Sequence, residues 1–107
     1  MDNKRVDGTQ KGNGFFGVLK RPDGNVSTEI SIGVGLNGKE VQIPLIVPTL
    51  NKSELNYLLT KDPKSDDFMS KMPSTIIDKA VEHAVERLKS GQSPFANKDE
   101  SYDVPNE

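Results

Sequence analysis

Val26-Ser27-Thr28-Glu29-Ile30-Ser31-Ile32-Gly33-Val34-Gly35-Leu36, then Asn37-Gly38, then Lys39-Glu40-Val41-Gln42-Ile43-Pro44-Leu45-Ile46-Val47 is the stretch on which the fold turns. In its first part Val26, Thr28, Ile30, Ile32, Val34 and Leu36 alternate with Ser27, Glu29, Ser31, Gly33 and Gly35. Period two puts successive side chains on opposite faces, so this reads as one strand with an apolar and a polar side. On that reading Thr28 belongs to the buried face and Glu29 to the exposed one, a candidate contact surface. Asn37-Gly38 is a strong hairpin signal, because a type I′ turn needs positive φ at both central positions. The returning strand, 39–47, carries Val41, Ile43, Leu45 and Val47 on its apolar side. Pro44 cannot donate to a ladder, which predicts an edge strand or a break.

Working outward on the N-terminal side, Phe15 to Lys20 reads as a further short strand. It joins Val26 through Arg21-Pro22-Asp23-Gly24, with Pro at the second position of a turn. The expectation is a three-stranded antiparallel meander with one buried face. On the C-terminal side Asn51 and Glu54 have capping-box spacing before a short helix, 52–59, whose Leu55, Leu58 and Leu59 point inward. A polar connector, 61–72, has room for one helical turn at 66–71. Then Ile76, Ile77, Ala80, Val81, Ala84, Val85 and Leu88 form the stripe of an amphipathic helix, 75–90. Ser74 or Thr75 is its expected cap, Asp78 its expected first-turn acid, and Gly91 its C′ residue. Phe95 is expected to fold back onto the body. The predicted fold class is therefore α+β, the meander covered by one long C-terminal helix plus a short one.

The chain has 107 residues, 33% of them hydrophobic, and a mean hydropathy of −0.60. An average globular protein is nearer half apolar. The deficit lies at the ends, which divides the chain into a flexible arm (1–14), a single domain (15–95) and a flexible acidic tail (96–107). Each end is either idle or a segment that orders against a neighbouring subunit. A body this small is marginal on its own and gains from docking onto a partner or a copy of itself. The net charge is −2 and Lys20-Arg21, in a turn, is the nearest approach to a basic patch, so direct nucleic-acid binding is disfavoured. No cysteine is present, which removes disulfide and thiolate chemistry and fits a reducing cytoplasm. No signal sequence opens the chain, and Leu45-Ile46-Val47 is far too short to span a bilayer, so a soluble, non-exported protein without membrane contact is expected.

The single histidine, His83, lies beside the apolar stripe with no second imidazole or cysteine to complete a zinc set, and reads as a surface or half-buried side chain. Asp78, Glu82 and Glu86 recur every four residues and read as a solvated helix face rather than an acid–base pair or cation site. Asp66-Asp67 lacks the spacing of a calcium loop. Gly12-x-Gly14-x-x-Gly17 fits the letter of a dinucleotide fingerprint, but no strand precedes it and no helix follows. The residues therefore predict no catalytic, cofactor-binding or metal site, and a protein that works by contact.

The run from Asp23 to Ile32, with its Asp-Gly turn and Ser27-Thr28-Glu29 strand, resembles a module of tailed-bacteriophage proteins. So does the run from Asn37 to Pro48, with its hairpin glycine and Ile43-Pro44. Asp78 to Phe95 (DKAVEHAVERLKSGQSPF) is similar to that module's helical ending. The resemblance covers about 15–95. It implies a virion or virion-associated protein, made in the host cytoplasm, that binds capsid, portal or tail components or copies of itself, and it brings no catalytic residues. The alternative is a phage-encoded inhibitor or modulator of a host protein.

Overall fold

The computed structural model describes residue 12 and residues 14–22, 24–36, 38–62, 65–97 and 100–105. The arm assigned to 1–14 falls mostly outside these residues, as do Asp23, Asn37 and part of the acidic tail. The elements are β1 (Leu19–Lys20), β2 (Val26–Ser27), β3 (Ser31–Leu36), β4 (Lys39–Pro44), α1 (Lys52–Thr60), α2 (Asp67–Ser70) and α3 (Ser74–Lys89).

The fold is α+β, but the sheet is not a three-stranded meander. It is two separate antiparallel hairpins, β1–β2 and β3–β4. Two local causes divide it. Phe15 and Phe16 are both buried, which neighbours on a half-buried strand cannot be because their side chains face opposite ways. The chain turns there instead, with Gly17 at φ +72°, a left-handed conformation that suits glycine, and only Leu19 and Lys20 remain extended. The run 26–36 also breaks, at Thr28–Ile30. Gly14 packs so closely on this bend that a Cβ on it would lie 1.9 Å from the Thr28 carbonyl oxygen.

Glu29 then turns inward rather than outward. It is only 6% exposed, and its carboxylate accepts a bond of 3.3 Å from the Gly12 N–H. Val26, expected on the buried face, is exposed.

The β3–β4 register pairs Ile32 with Ile43, Val34 with Val41 and Leu36 with Lys39 across the two-residue loop that includes Gly38 at φ +79°. The ladder continues one pair beyond the strands, where the Leu45 N–H donates to the Ile30 carbonyl at 2.7 Å. Hydrogen-bonded and non-bonded pairs alternate in an antiparallel ladder. Counting from the bonded pair Ile30–Leu45, the pair Ser31–Pro44 is non-bonded, so the N–H that Pro44 lacks would have faced away from β3. Pro44 is thus accommodated inside the strand without loss of a ladder bond. Leu45, Ile46 and Val47 beyond it are buried.

α3 packs on β4, and Ile76, Ala80 and Ala84 bury their side chains against a core of Phe15, Ile43, Leu45, Leu55, Leu58 and Phe68. α1 begins with the expected capping box: Glu54 N–H donates to Asn51 Oδ1 and Asn51 N–H to Glu54 Oε1, both at 2.8 Å. The single helical turn of the connector is α2. The start of α3 differs from expectation. Pro73 precedes its first residue, Ser74, no side chain caps it, and Asp78 sits beyond the first turn. Its end follows the glycine rule. Gly91 has φ +78°, its N–H bonds the Leu88 carbonyl at 3.1 Å, and the Gln92 N–H bonds the Arg87 carbonyl at 2.8 Å, a Schellman closure.

Candidate interaction surface

Three polar ties hold the elements in place and thereby decide which surfaces stay open. Arg21 donates through Nη1 to the Leu58 carbonyl and to Ser27 Oγ, each at 3.1 Å, and through Nη2 to the Lys61 carbonyl. α1 has no basic residue in its own last turn, so Arg21 supplies the positive charge that the helix C-terminus favours. The residue that came nearest to a basic patch in the sequence is thus engaged in capping.

The second tie is Lys79 Nζ on Glu54 Oε1 at 2.6 Å, joining α3 to α1. Burial pushes the Glu54 carboxyl up, but hydrogen bonds from Lys79, Thr75 and the Asn51 backbone outweigh it and hold the carboxyl below its ordinary value.

The third is a clasp around Arg87, which the sequence reading placed outside the apolar stripe and which is only 8% exposed. Its Nε donates to the Ser93 carbonyl at 2.6 Å, Nη2 to the Phe95 carbonyl at 3.0 Å and Nη1 to Glu100 Oε2 at 2.8 Å. Its guanidinium carbon stands 5.3 Å from the centre of the Phe15 ring. Glu100 also accepts from the Asn97 N–H and the Tyr102 hydroxyl, each at 2.9 Å. Burial raises the Glu100 carboxyl, but these bonds and the Arg87 charge carry it below its usual range.

The Tyr102 N–H donates to the Phe15 carbonyl at 2.8 Å. Residues 100–102, from the segment read as a tail, therefore lie against the body. His83 meets Phe15 edge to face at 4.9 Å, half-buried as expected, with its Nδ1 buried and unpartnered among the described residues. Burial, and then the Arg87 charge, lower its pKa.

The other residues weighed in the sequence are dispersed. Asp78, Glu82 and Glu86 are exposed along α3, as are Asp66 and Asp67 at α2. Gly12, Gly14 and Gly17 lead into β1, not into a helix. Among the described residues no group of three or more His, Asp or Glu side chains is placed to hold a metal ion, and no helix is long and apolar enough to cross a membrane.

Among the described residues, the β3–β4 hairpin remains open. With Arg87 turned into the core, Leu88 is displaced outward and is 42% exposed. Leu88, Val85 and Lys89 of α3 join Leu36 at the hairpin tip to line a groove of about 300 Å³. A second, shallower depression of about 590 Å³ lies over Lys52, Asn56 and Tyr57 of α1, with Pro73.

The two edges of the hairpin differ. By the alternation above, Gly33 and Gly35 of β3 turn both backbone groups outward, and no described residue bonds them. β3 reads SIGVGL and has no charge, whereas β4 reads KEVQIP and carries Lys39, Glu40 and the donor-less Pro44. Charge and proline are devices that protect a free strand edge, so β4 is guarded and β3 is not. The sequence reading named the polar face of the sheet as a contact surface. It did not single out the edge, because edge status depends on which strands fail to pair. No protein-family model, curated protein or solved structure matches the chain.

Proposed function

We propose that this chain is a non-catalytic protein-contact module, a structural or accessory part of a tailed-phage particle that binds other virion proteins or copies of itself. The open, uncharged edge of β3 is the observation that supports this most. A six-residue strand with outward-facing backbone groups is a template for strand addition, a recurrent mode of protein recognition. The groove at the hairpin tip adds an apolar contact beside it. The similarity of residues 15–95 to a phage module supplies the setting.

The test is mass spectrometry of particles purified from cells that express the chain, with infected-cell lysate as reference. Presence in the particle at fixed stoichiometry is the expected result. Absence from particles, with the protein abundant in the lysate, overturns the virion assignment and turns the reading to a modulator of a host protein.

A further inference from the structure

We infer that β3 pairs antiparallel with β3 of a second copy, joining the two hairpins into one four-stranded sheet across a two-fold axis at Val34. The inference rests on the reading of the chain as a contact module and names the partner of its open edge.

The ladder geometry supplies the first argument. Counting from the Ile30–Leu45 bond, Ile32, Val34 and Leu36 direct their backbone groups to β4, and Gly33 and Gly35 direct theirs outward. With Val34 on the axis, Gly33 stands opposite Gly35 of the second copy. These two outward-facing residues can exchange both hydrogen bonds, and the symmetry repeats the exchange. Val34 faces its own copy as a non-bonded pair, the closer type, in which side chains touch best.

Self-complementarity supplies the second. In this register Ile32 lies opposite Leu36 of the second copy, so the apolar side of one hairpin continues into the other. The two β3 strands bring no charged side chains of their own to the seam, because β3 has none. The glycines meet on the other side, where a Cβ at Gly35 would touch nothing within 4 Å, while the Glu40 and Gln42 side chains of the same copy lie over Gly33, Glu40 Oε1 2.7 Å from where its Cβ would stand.

Closure supplies the third. A two-fold contact uses the same edge twice and leaves only β4 edges at the ends of the new sheet. Pro44 takes a donor from each, and Lys39 and Glu40 add charge, so growth stops at two copies. An edge-to-edge contact of β3 on β4 would leave a free β3 at every step and propagate a fibre.

The experiment uses the full chain. Sedimentation equilibrium from low micromolar to about millimolar concentration gives the mass, and NMR hydrogen exchange follows the Gly33 and Gly35 amides over the same range. The expected result is a reversible dimer in which protection of these two amides rises with the dimer fraction. Gly35→Pro removes one outward donor per copy, and the dimer should weaken roughly 30-fold or more. A Gly35→Pro protein with native circular dichroism and unchanged dimerisation overturns the inference. If that variant fails to fold, exchange in the unaltered chain decides. A monomer at every concentration, or a dimer whose Gly33 and Gly35 amides exchange freely, also overturns it. None of these outcomes bears on particle incorporation, which has its own test above.

Discussion

Replacing Arg87 with Met keeps most of the buried aliphatic stem and removes the guanidinium. The Ser93 and Phe95 carbonyls and Glu100 Oε2 then each lose the Arg87 donor, although Glu100 Oε2 keeps its bond from the Tyr102 hydroxyl. Breaking a fully buried ion pair by deleting one partner costs about 3–5 kcal/mol. The Arg87 and Glu100 side chains are 9% and 15% exposed, so some solvent reaches the carboxylate, which also keeps the Asn97 N–H and Tyr102 hydroxyl as donors. That places the loss at the lower end, about 3 kcal/mol. A domain of this size holds about 5–10 kcal/mol in total, and the same loss corresponds to a fall in Tm of about 15 °C. Far-UV circular dichroism with urea and heat reads both, since α3 dominates the helical signal. The double variant with Glu100→Gln should recover part of the loss, with a coupling of about 2 kcal/mol. If Arg87→Met costs less than about 1 kcal/mol, or if the two substitutions add, the clasp is not what holds residues 93–102 to the body.

Acid should weaken the fold through Glu54 and Glu100. Both folded carboxyls lie below their ordinary values, so their contribution is complete above the unfolded value of about 4.3 and is lost as pH falls through the lower folded values. Urea melts from neutral to acid pH should show this, and Glu54→Gln with Glu100→Gln should flatten the acid limb. Gly14→Ala should cost more than about 2 kcal/mol, because the methyl group would collide with the Thr28 carbonyl and the residue holds φ +74°. An alanine variant as stable as the parent in urea would show that the Gly14 contact can relax freely. His83→Phe keeps the edge-on contact with Phe15 and removes the unpartnered Nδ1, so stability should hold or rise by up to about 1 kcal/mol at neutral pH. The gain should grow below about pH 6.5, where the unfolded histidine takes up a proton that the folded one resists. A loss of stability in the melts, or a gain that shrinks in acid, would contradict this.

What local chemistry controls was legible in the sequence. The Asn51–Glu54 box needs residues three apart and nothing else, and Gly91 ends α3 because the left-handed C′ position suits it. The pairing of 31–36 with 39–44 follows from alternation and a two-residue loop. Most of the misreadings depend on distant partners; the start of α3, where Pro73 precedes Ser74 and no side chain caps the helix, is a local one. Alternation across 26–36 is unbroken, yet the strand bends at Thr28–Ile30, where Gly14 packs and the Gly12 N–H bonds the Glu29 carboxylate, and no periodicity records that. Glu29 follows the bend inward. Arg87 carries the formal charge of a surface residue, and only the return of Ser93, Phe95 and Glu100 gives it a buried site. Leu88 has the periodicity of the core and lies outside it for the same reason. The open edge of β3 was illegible because the whole of Phe15–Lys20 was assigned to pair with 26–36. One signal did lie in the text: β3 is uncharged while β4 carries charge and proline.

The bond from the Tyr102 N–H to the Phe15 carbonyl places two points 87 residues apart in the chain within a single hydrogen bond of each other. A body whose two ends leave from one spot can be spliced into the loop of a larger protein, because host and guest then share only a narrow neck and neither must stretch to admit the other. The same neck makes the body easy to permute. A short bridge between residues 15 and 102 would close the chain into a ring, and new ends could be opened at the 37–38 loop. The clasp around Arg87 would then act as a latch holding a modular insert shut, wherever in a longer polypeptide it is placed.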